Sequence, residues 1–154
     1  MSSNFSIINH TRIRISRLPL LAIKQDILGK NYSLSVAFVD EKNSQKINKK
    51  YRGKNKPTNV LSFVFSKTNG ELILCPSLIK KESQDKSKNF GKTFRKLFGF
   101  LVIHGMLHLK GFEHSSTMSK LEEKYDQKYF SRHRRGLKHD QGGGGRISKR
   151  RKNS

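Results

Sequence analysis

The sequence has little of what stabilises secreted or membrane-spanning proteins. Cys75 is its one cysteine, so an internal disulfide is excluded and a reducing compartment is expected. The apolar run at residues 18–23 is short, contains Pro19 and is followed by Lys24, which is unlike a signal peptide. The longest later apolar run, residues 100–103, is far too short to cross a bilayer. We therefore expect a soluble cytoplasmic protein that has no membrane partner.

Acidic side chains are scarce, and the resulting charge predicts a polyanionic partner. The 154 residues include 33 Lys and Arg but 11 Asp and Glu, which gives a net charge of +22. Residues 132–154 carry +8 and include four consecutive glycines, whereas residues 1–131 carry +14. We expect residues 1–131 to form one domain and residues 132–154 to be a disordered basic tail. RNA is the expected partner, although compositional drift toward lysine would explain much of the excess.

Apolar periodicity predicts a chain that contains both strands and helices. Period-two patterns predict strands over residues 5–8, 13–15, 33–39, 60–65 and 71–75, the last two joined as a hairpin by a turn at 68–70. Helical spacing predicts helices over residues 18–28 and 90–109 and a short helix or turn that begins at Pro76. Capping residues predict two more helices, one from Asp40 to about residue 51 and one that begins after Ser115 or Ser116. Residues 52–58 are expected to be a loop, and residues 83–89 a polar connection.

Three histidines form the most informative pattern in the chain. His104, His108 and His114 are spaced i, i+4 and i+10, and Gly111 lies where the helix is expected to end. Residues four apart lie on one helix face, so the first two can bind one ion, and the third can reach it from the loop. The spacing matches the zinc-protease pattern H-E-x-x-H-x-x-G-x-x-H, except that Gly105 replaces the general-base glutamate. We expect one Zn²⁺ per chain and an open coordination position for water.

A structural role is the alternative for these histidines. They continue a seam of apolar residues that are spaced three or four apart, namely Phe90, Phe94, Leu97 and Leu101. A single histidine on such a seam is more often a core residue than a ligand. Stacked imidazoles with a third nearby are hard to satisfy without a metal, however, so the metal interpretation is preferred.

A second cluster of charge lies in the loop before the predicted hairpin. Arg52, Lys54 and Lys56 are three cations within five residues. Arg52 can bind a phosphate with two parallel hydrogen bonds, while the lysines act as point charges. Alone, such a loop is usually only solvated surface, so its phosphate-binding role depends on what lies beside it.

Together these segments resemble the YbeY family of bacterial endoribonucleases, also called rRNA maturation factors. The family signature H-G-x-x-H-L-x-G-[YF]-[DE]-H is met by residues 104–114. The signature Y-R-G-K-x-x-P-T-[DN]-V-L-S-F-P-F is met by residues 51–65 except at Val64, where the family usually has proline, and residues 70–75 resemble a third conserved strand. The resemblance covers residues 33–129. It implies an α+β fold, a small mixed sheet packed with helices, with the metal site at the end of a long helix.

The same resemblance implies a function for the cleft. Zinc would be held by His104, His108 and His114, and Arg52 would be the essential basic residue in hydrolysis of single-stranded RNA. The partners implied are ribosomal RNA and the small ribosomal subunit, in rRNA maturation and ribosome quality control, and a monomer is expected. In this mechanism a metal-activated water attacks the phosphodiester while Arg52 orients the phosphate, and Arg52, Lys54 and Lys56 contact RNA.

Other residues and functions are less well supported by the sequence. A solvated or structural role is preferred for Glu113 and Glu71 as general-base candidates, and Cys75 is expected to be a buried apolar residue. No role is assigned to His10, His133 or His139. The alternative functions are a non-catalytic, zinc-containing ribosome assembly factor and a metalloprotease, the latter disfavoured because Gly105 cannot act as a base.

Overall fold

A computed structural model describes residues 4–15, 17–89 and 92–131. Within these ranges there are four strands, β1 Phe5–Asn9, β2 Ser33–Phe38, β3 Val60–Ser66 and β4 Asn69–Leu74. The helices are α1 Leu20–Ile27, α2 Glu41–Arg52, α3 Pro76–Gln84, α4 Lys86–Asn89, α5 Phe94–Lys110 and α6 Ser116–Phe130. Among the described residues, none of these helices combines the length and apolarity that a membrane crossing requires.

The four strands form one mixed sheet in the order β1-β2-β4-β3. The β1–β2 and β2–β4 pairs are parallel, whereas β3 and β4 form the expected antiparallel hairpin, with Val60 opposite Leu74. Lys67 and Thr68 separate these two strands, and the register shifts between Val64 and Ser66. The α+β prediction is therefore confirmed, and β3 lies at one edge of the sheet beside the histidine-bearing helix.

Helix α5 packs closely on the hairpin, and Gly105 makes this approach possible. A Cβ at position 105 would lie 2.7 Å from Leu72 Cδ2, nearer than carbon atoms can pack. The hydroxyl of Ser62 on β3 donates to the Gly105 carbonyl at 3.1 Å, which links the two elements directly. On the same helix Phe98 and Met106 are fully buried. The helix face that carries the histidines is thus fixed relative to β3.

Several predicted helix boundaries are confirmed by their caps. The Asp40 side chain accepts from the Asn43 backbone N–H at 2.8 Å at the start of α2, and Ser115 accepts from Met118 at 3.2 Å at the start of α6. Gly111 ends α5 in the left-handed region, with φ of 112°. These local interactions need only a few neighbouring residues, so sequence predicts them well.

Four predictions of local structure are wrong. Residues 13–15 are not a strand, because the side chains of Asn9 and Thr11 bind the backbone of Ile13 and turn the chain instead. Helix α5 begins at Phe94 rather than at 90, since Thr93 caps it through the Lys96 N–H at 3.2 Å. Residues 83–89, predicted to be a polar connection, are largely helical. Residue 52 ends α2 and does not begin the loop.

The predicted basic tail and two of the histidines without an assigned role lie outside the described residues. His133 and His139 belong to residues 132–154, as does the glycine run. Phe90, which was expected to begin the apolar seam of α5, also lies outside them. The division into a 1–131 domain and a tail therefore stays a prediction.

Candidate metal centre

The end of α5 brings three imidazoles to one point. His104 and His108 are one turn apart on the helix, and after Gly111 the chain reverses, with the Phe112 N–H donating to the Leu107 carbonyl at 3.0 Å. This turn returns His114 to the same place. Its Nε2 lies 3.2 Å from Nε2 of His108, which is 3.1 Å from Nε2 of His104.

In His104 and His108, the ring nitrogen that points away from the other imidazoles is Nδ1, and each Nδ1 lies next to a hydrogen-bond acceptor. Nδ1 of His104 lies 2.6 Å from a carboxylate oxygen of Glu122 on α6. Nδ1 of His108 lies 3.0 Å from the backbone carbonyl oxygen of Phe112. A carbonyl and a carboxylate only accept, so the proton of each neutral imidazole is placed on Nδ1 and the lone pair on Nε2.

The arrangement of these rings fits a divalent metal. Two lone pairs that face each other across 3.1 Å repel unless a cation lies between them. Nitrogens at zinc-ligand distance in a tetrahedron are about 3.3 Å apart, close to the two separations in this site. One ligand atom from each histidine lies within 4.8 Å of the others. His104, His108 and His114 are therefore the residues that could hold a metal, while Glu122 and the Phe112 carbonyl orient two of them.

The local environment favours the ligating form of His108. Burial lowers the pKa of His108, and the neighbouring His104 lowers it further, while the Phe112 carbonyl acts in the opposite direction. A lowered pKa keeps the imidazole neutral, and only a neutral imidazole has a lone pair to offer to a metal.

Arg52 and the histidines line the same cleft. This cavity of about 440 Å³ is bounded by the three imidazoles and by Arg52, Thr58, Asn59, Val60, Ser62 and Val64. Lys54 and Lys56, which were predicted to contact RNA beside Arg52, are exposed and are not among its lining residues. The structure thus brings Arg52 to the histidines and leaves the two lysines on the outer surface.

Buried polar side chains of α2 position the segment after Arg52. Gly53 reverses the chain with φ of 70° at the end of the helix. The Ser44 hydroxyl donates to the Thr58 carbonyl at 2.7 Å and accepts from the Thr58 N–H at 2.9 Å. The Asn48 amide donates to the Lys56 carbonyl at 2.8 Å. These bonds return the chain toward α2, so Arg52 and Thr58 face one cavity although five residues lie between them.

The other predicted residues lie apart from this cleft. Glu113 is exposed, and Glu71 is on β4 opposite Phe63, where burial raises the pKa of its carboxyl group. Cys75 is a free, buried thiol, as expected, and burial raises its pKa. His10 donates its backbone N–H to Phe38 at the end of β1, far along the sheet from β3.

Glu122 is the site residue that sequence reasoning missed. It lies on α6, which contacts α5, and its side chain is 13% exposed. It also lines a second cavity of about 150 Å³ that includes Phe100, His104, His114 and Met118. The available signal was weak: Glu122 lies four residues after Met118 and next to Leu121, so an acid falls among the apolar positions of the last helix. Nothing in its spacing from His104 indicates that the two side chains meet.

Comparison with known proteins places the chain in a family. The model of the family described as Endoribonuclease YbeY matches residues 6–132. A protein named Endoribonuclease YbeY from Lactobacillus helveticus is 39% identical over 118 residues, which cover 65% of this chain and 66% of that protein. The protein of the same name from Buchnera aphidicola is 39% identical over 120 residues, covering 66% of this chain and 73% of that protein. The chain thus spans just under two thirds of the first relative's length.

A solved structure has the same fold. The solution structure of TM1509 from Thermotoga maritima matches with a TM-score of 0.61 at 27% identity. The matched region covers 86% of this chain and 93% of the TM1509 chain. The family match extends over both the α2–β3 segment and the histidine helix, which are the two segments that meet in the cleft. The chain therefore belongs to the Endoribonuclease YbeY family.

Proposed function

We propose that this protein is a metal-dependent endoribonuclease that cleaves single-stranded RNA during ribosomal RNA maturation and ribosome quality control. The observation that carries the proposal is the meeting of three imidazoles and Arg52 in one cleft of about 440 Å³. Family membership supports the same activity, because the matching family model and the curated relatives are described as endoribonucleases.

Each part of the cleft has a role in this proposal. Zn²⁺, one per chain, is the metal that His104, His108 and His114 would hold; when bound it activates water and polarises a phosphoryl oxygen. Arg52 binds the phosphate, orients it toward the histidines and stabilises the negative charge that develops during cleavage. Lys54 and Lys56, exposed on the same segment, attract the flanking RNA backbone.

The proposed setting follows from the chain's charge and family. A net charge of +22 suits a partner as anionic as ribosomal RNA within the small ribosomal subunit. We propose that the protein acts in the cytoplasm as a monomer. Metalloproteolysis is disfavoured by Gly105, because glycine has no carboxylate to act as the general base and a side chain there would lie too close to Leu72 of the sheet. A non-catalytic zinc-containing assembly factor is the remaining alternative.

Arg52→Glu separates the proposal from that alternative. The variant should lose cleavage of a labelled single-stranded RNA, because the reversed charge repels the phosphate, while its metal content and circular dichroism stay as in the wild type. Lys46→Glu, an exposed charge reversal on the same helix outside the cleft lining, is the matched control and should still cleave. Unfolded casein should remain intact. Wild-type protein that carries metal but leaves the RNA intact would instead support the non-catalytic factor.

A further inference from the structure

Several large apolar side chains beside the cleft are exposed to solvent and are not part of the buried core. Tyr51, Val64 and Phe65 are each 60% exposed, the highest values among the large apolar side chains that the described residues expose. Tyr51 precedes Arg52 at the end of α2, and its ring packs against Phe63 with centroids 5.3 Å apart and planes at 69°. We call Tyr51, Phe63, Val64 and Phe65 the β3 patch.

The β3 patch borders the cleft at two points. Val64 is itself a lining residue of the cavity that contains Arg52 and the histidines. Phe63 points to the opposite face of the sheet, where it packs against Tyr51, and Tyr51 immediately precedes Arg52, another lining residue. Several large apolar side chains exposed close together indicate a binding surface, because a folded protein otherwise keeps most such side chains out of water.

The charges around the β3 patch select its partner. Lys50, Arg52, Lys54 and Lys56 are all exposed and lie within five residues of Tyr51 in the sequence. Lys50 Nζ lies 5.2 Å from the centre of the Tyr51 ring. A ligand that offers flat apolar faces together with negative charge satisfies both features. Unpaired nucleotides have this combination, because their bases stack on aromatic rings while their phosphates bind cations.

We infer that the β3 patch, with Tyr51 at its centre, is a platform on which bases next to the scissile phosphate stack. The inference rests on the proposed function and deepens it by assigning a residue to substrate choice. Arg52 holds a phosphate, and Tyr51, the preceding residue, offers a ring to a neighbouring base. In a duplex the bases are already stacked on each other, so the platform favours single-stranded RNA.

Strand addition by a peptide or by a second copy of the chain is the competing use of an edge strand. It requires a regular row of backbone donors and acceptors, and β3 has a register shift between Val64 and Ser66. The cations that surround Tyr51 also favour a polyanion. Glu71, which lies opposite Phe63, is an acid that would repel a polyanion if charged. It is partly buried, however, and burial raises the pKa of its carboxyl group, which favours the uncharged form.

Tyr51→Ala tests the platform by fluorescence anisotropy with a short labelled single-stranded RNA at several salt concentrations. Loss of one stacked base should weaken binding about 5- to 150-fold, converted from the energy of base–aromatic stacking. The slope of log affinity against log salt should not change, because every cation that binds phosphate is still present. An oligomer of the same length with abasic positions should bind both proteins equally.

Three variants control this experiment. Tyr51→Phe should retain wild-type affinity, and Tyr51→Leu, which still packs on Phe63, should show the loss if Tyr51→Ala folds poorly. Ile8→Ala removes a side chain that is 54% exposed on β1, at the opposite edge of the sheet, and should bind RNA normally.

The outcomes separate this inference from the proposed function. Wild-type protein that cleaves RNA, together with Tyr51→Ala and Tyr51→Leu variants of unchanged affinity, would overturn the platform alone. An equal loss on the abasic oligomer, or self-association that disappears in these variants while RNA affinity stays, would overturn it as well. Wild-type protein that neither binds nor cleaves single-stranded RNA would overturn both.

Discussion

His104 and His108 are oriented by different kinds of acceptor, and this difference has consequences for single residues. A backbone carbonyl fixes His108, so no substitution at Phe112 removes that acceptor. A side chain, Glu122, fixes His104 from another helix at 2.6 Å. A carboxylate behind a ligating imidazole fixes the ring's tautomer and raises its basicity, so Glu122 should set how tightly the site binds a metal.

Glu122→Gln should therefore lower zinc affinity about 10- to 100-fold, because the amide is a weaker acceptor than the carboxylate. Competition with a chromophoric chelator measures this affinity directly. Glu123→Gln, an exposed change one residue away, is the control and should bind zinc as the wild type does. Equal affinities in all three proteins, with normal circular dichroism, would mean that Glu122 only holds α6 against α5.

At the scale of secondary structure, α6 must be docked correctly for Glu122 to reach α5. Asp26 on α1 accepts from Lys128 Nζ at 2.6 Å and from the Tyr129 hydroxyl at 2.7 Å, both on α6. The hydrogen bond from Lys128 and then that from Tyr129 lower the pKa of Asp26. Because the folded pKa lies below the unfolded one, the linkage stabilises the fold fully above the unfolded pKa and is lost as pH falls through the folded pKa.

Asp26→Asn should therefore be less stable than the wild type at pH 7, and the difference should shrink as pH falls through the acidic range. Urea unfolding followed by circular dichroism at several pH values measures both free energies of unfolding. Lys128 is exposed, so a small effect is expected. A difference that stays constant down to strongly acidic pH would show that Asp26 acts by packing and not by its charge.

Sequence predicted those elements whose signals are local. Asp40, Gly111 and Ser115 act through bonds to residues within a turn. The predictions at Asp40 and Gly111 are confirmed, and of the two serines predicted to cap the last helix, Ser115 is the one that does so. The spacing of the three histidines was also enough to predict that the rings converge. Two predictions failed because a local side-chain bond determined the structure instead of the apolar pattern. Thr93 caps α5, so the helix begins later than its apolar spacing predicts, and side-chain bonds to the backbone of Ile13 replace a strand.

Interactions between distant segments could not be predicted from local patterns. Glu122 meets His104 only because α6 folds back on α5. The cleft is lined by Arg52 but not by Lys54 or Lys56, although all three belong to one basic segment. The family resemblance supplied the α+β architecture and the pairing of Arg52 with the histidines. It did not indicate the acid on α6.

At the scale of the whole molecule, the basic segment at residues 132–154 should contribute affinity and not chemistry. Deleting residues 141–154 removes five cations, Arg146, Lys149, Arg150, Arg151 and Lys152. For a single strand, each phosphate that these cations no longer bind lowers the salt slope by about 0.7, so RNA binding should weaken and become less salt-dependent. Turnover at saturating RNA should remain near that of the full chain. A truncated protein that binds RNA normally but cannot cleave it would place part of this segment in the active site.

One metal, held by His104, His108 and His114, should be required for RNA cleavage. The most direct measurement is the cleavage rate of a labelled single-stranded RNA as metal-stripped protein is titrated with zinc. The rate should rise from zero, reach a plateau at one equivalent per chain, and stay at zero throughout for a folded His108→Ala variant. Full cleavage by the stripped protein, or cleavage by His108→Ala, would contradict the claim.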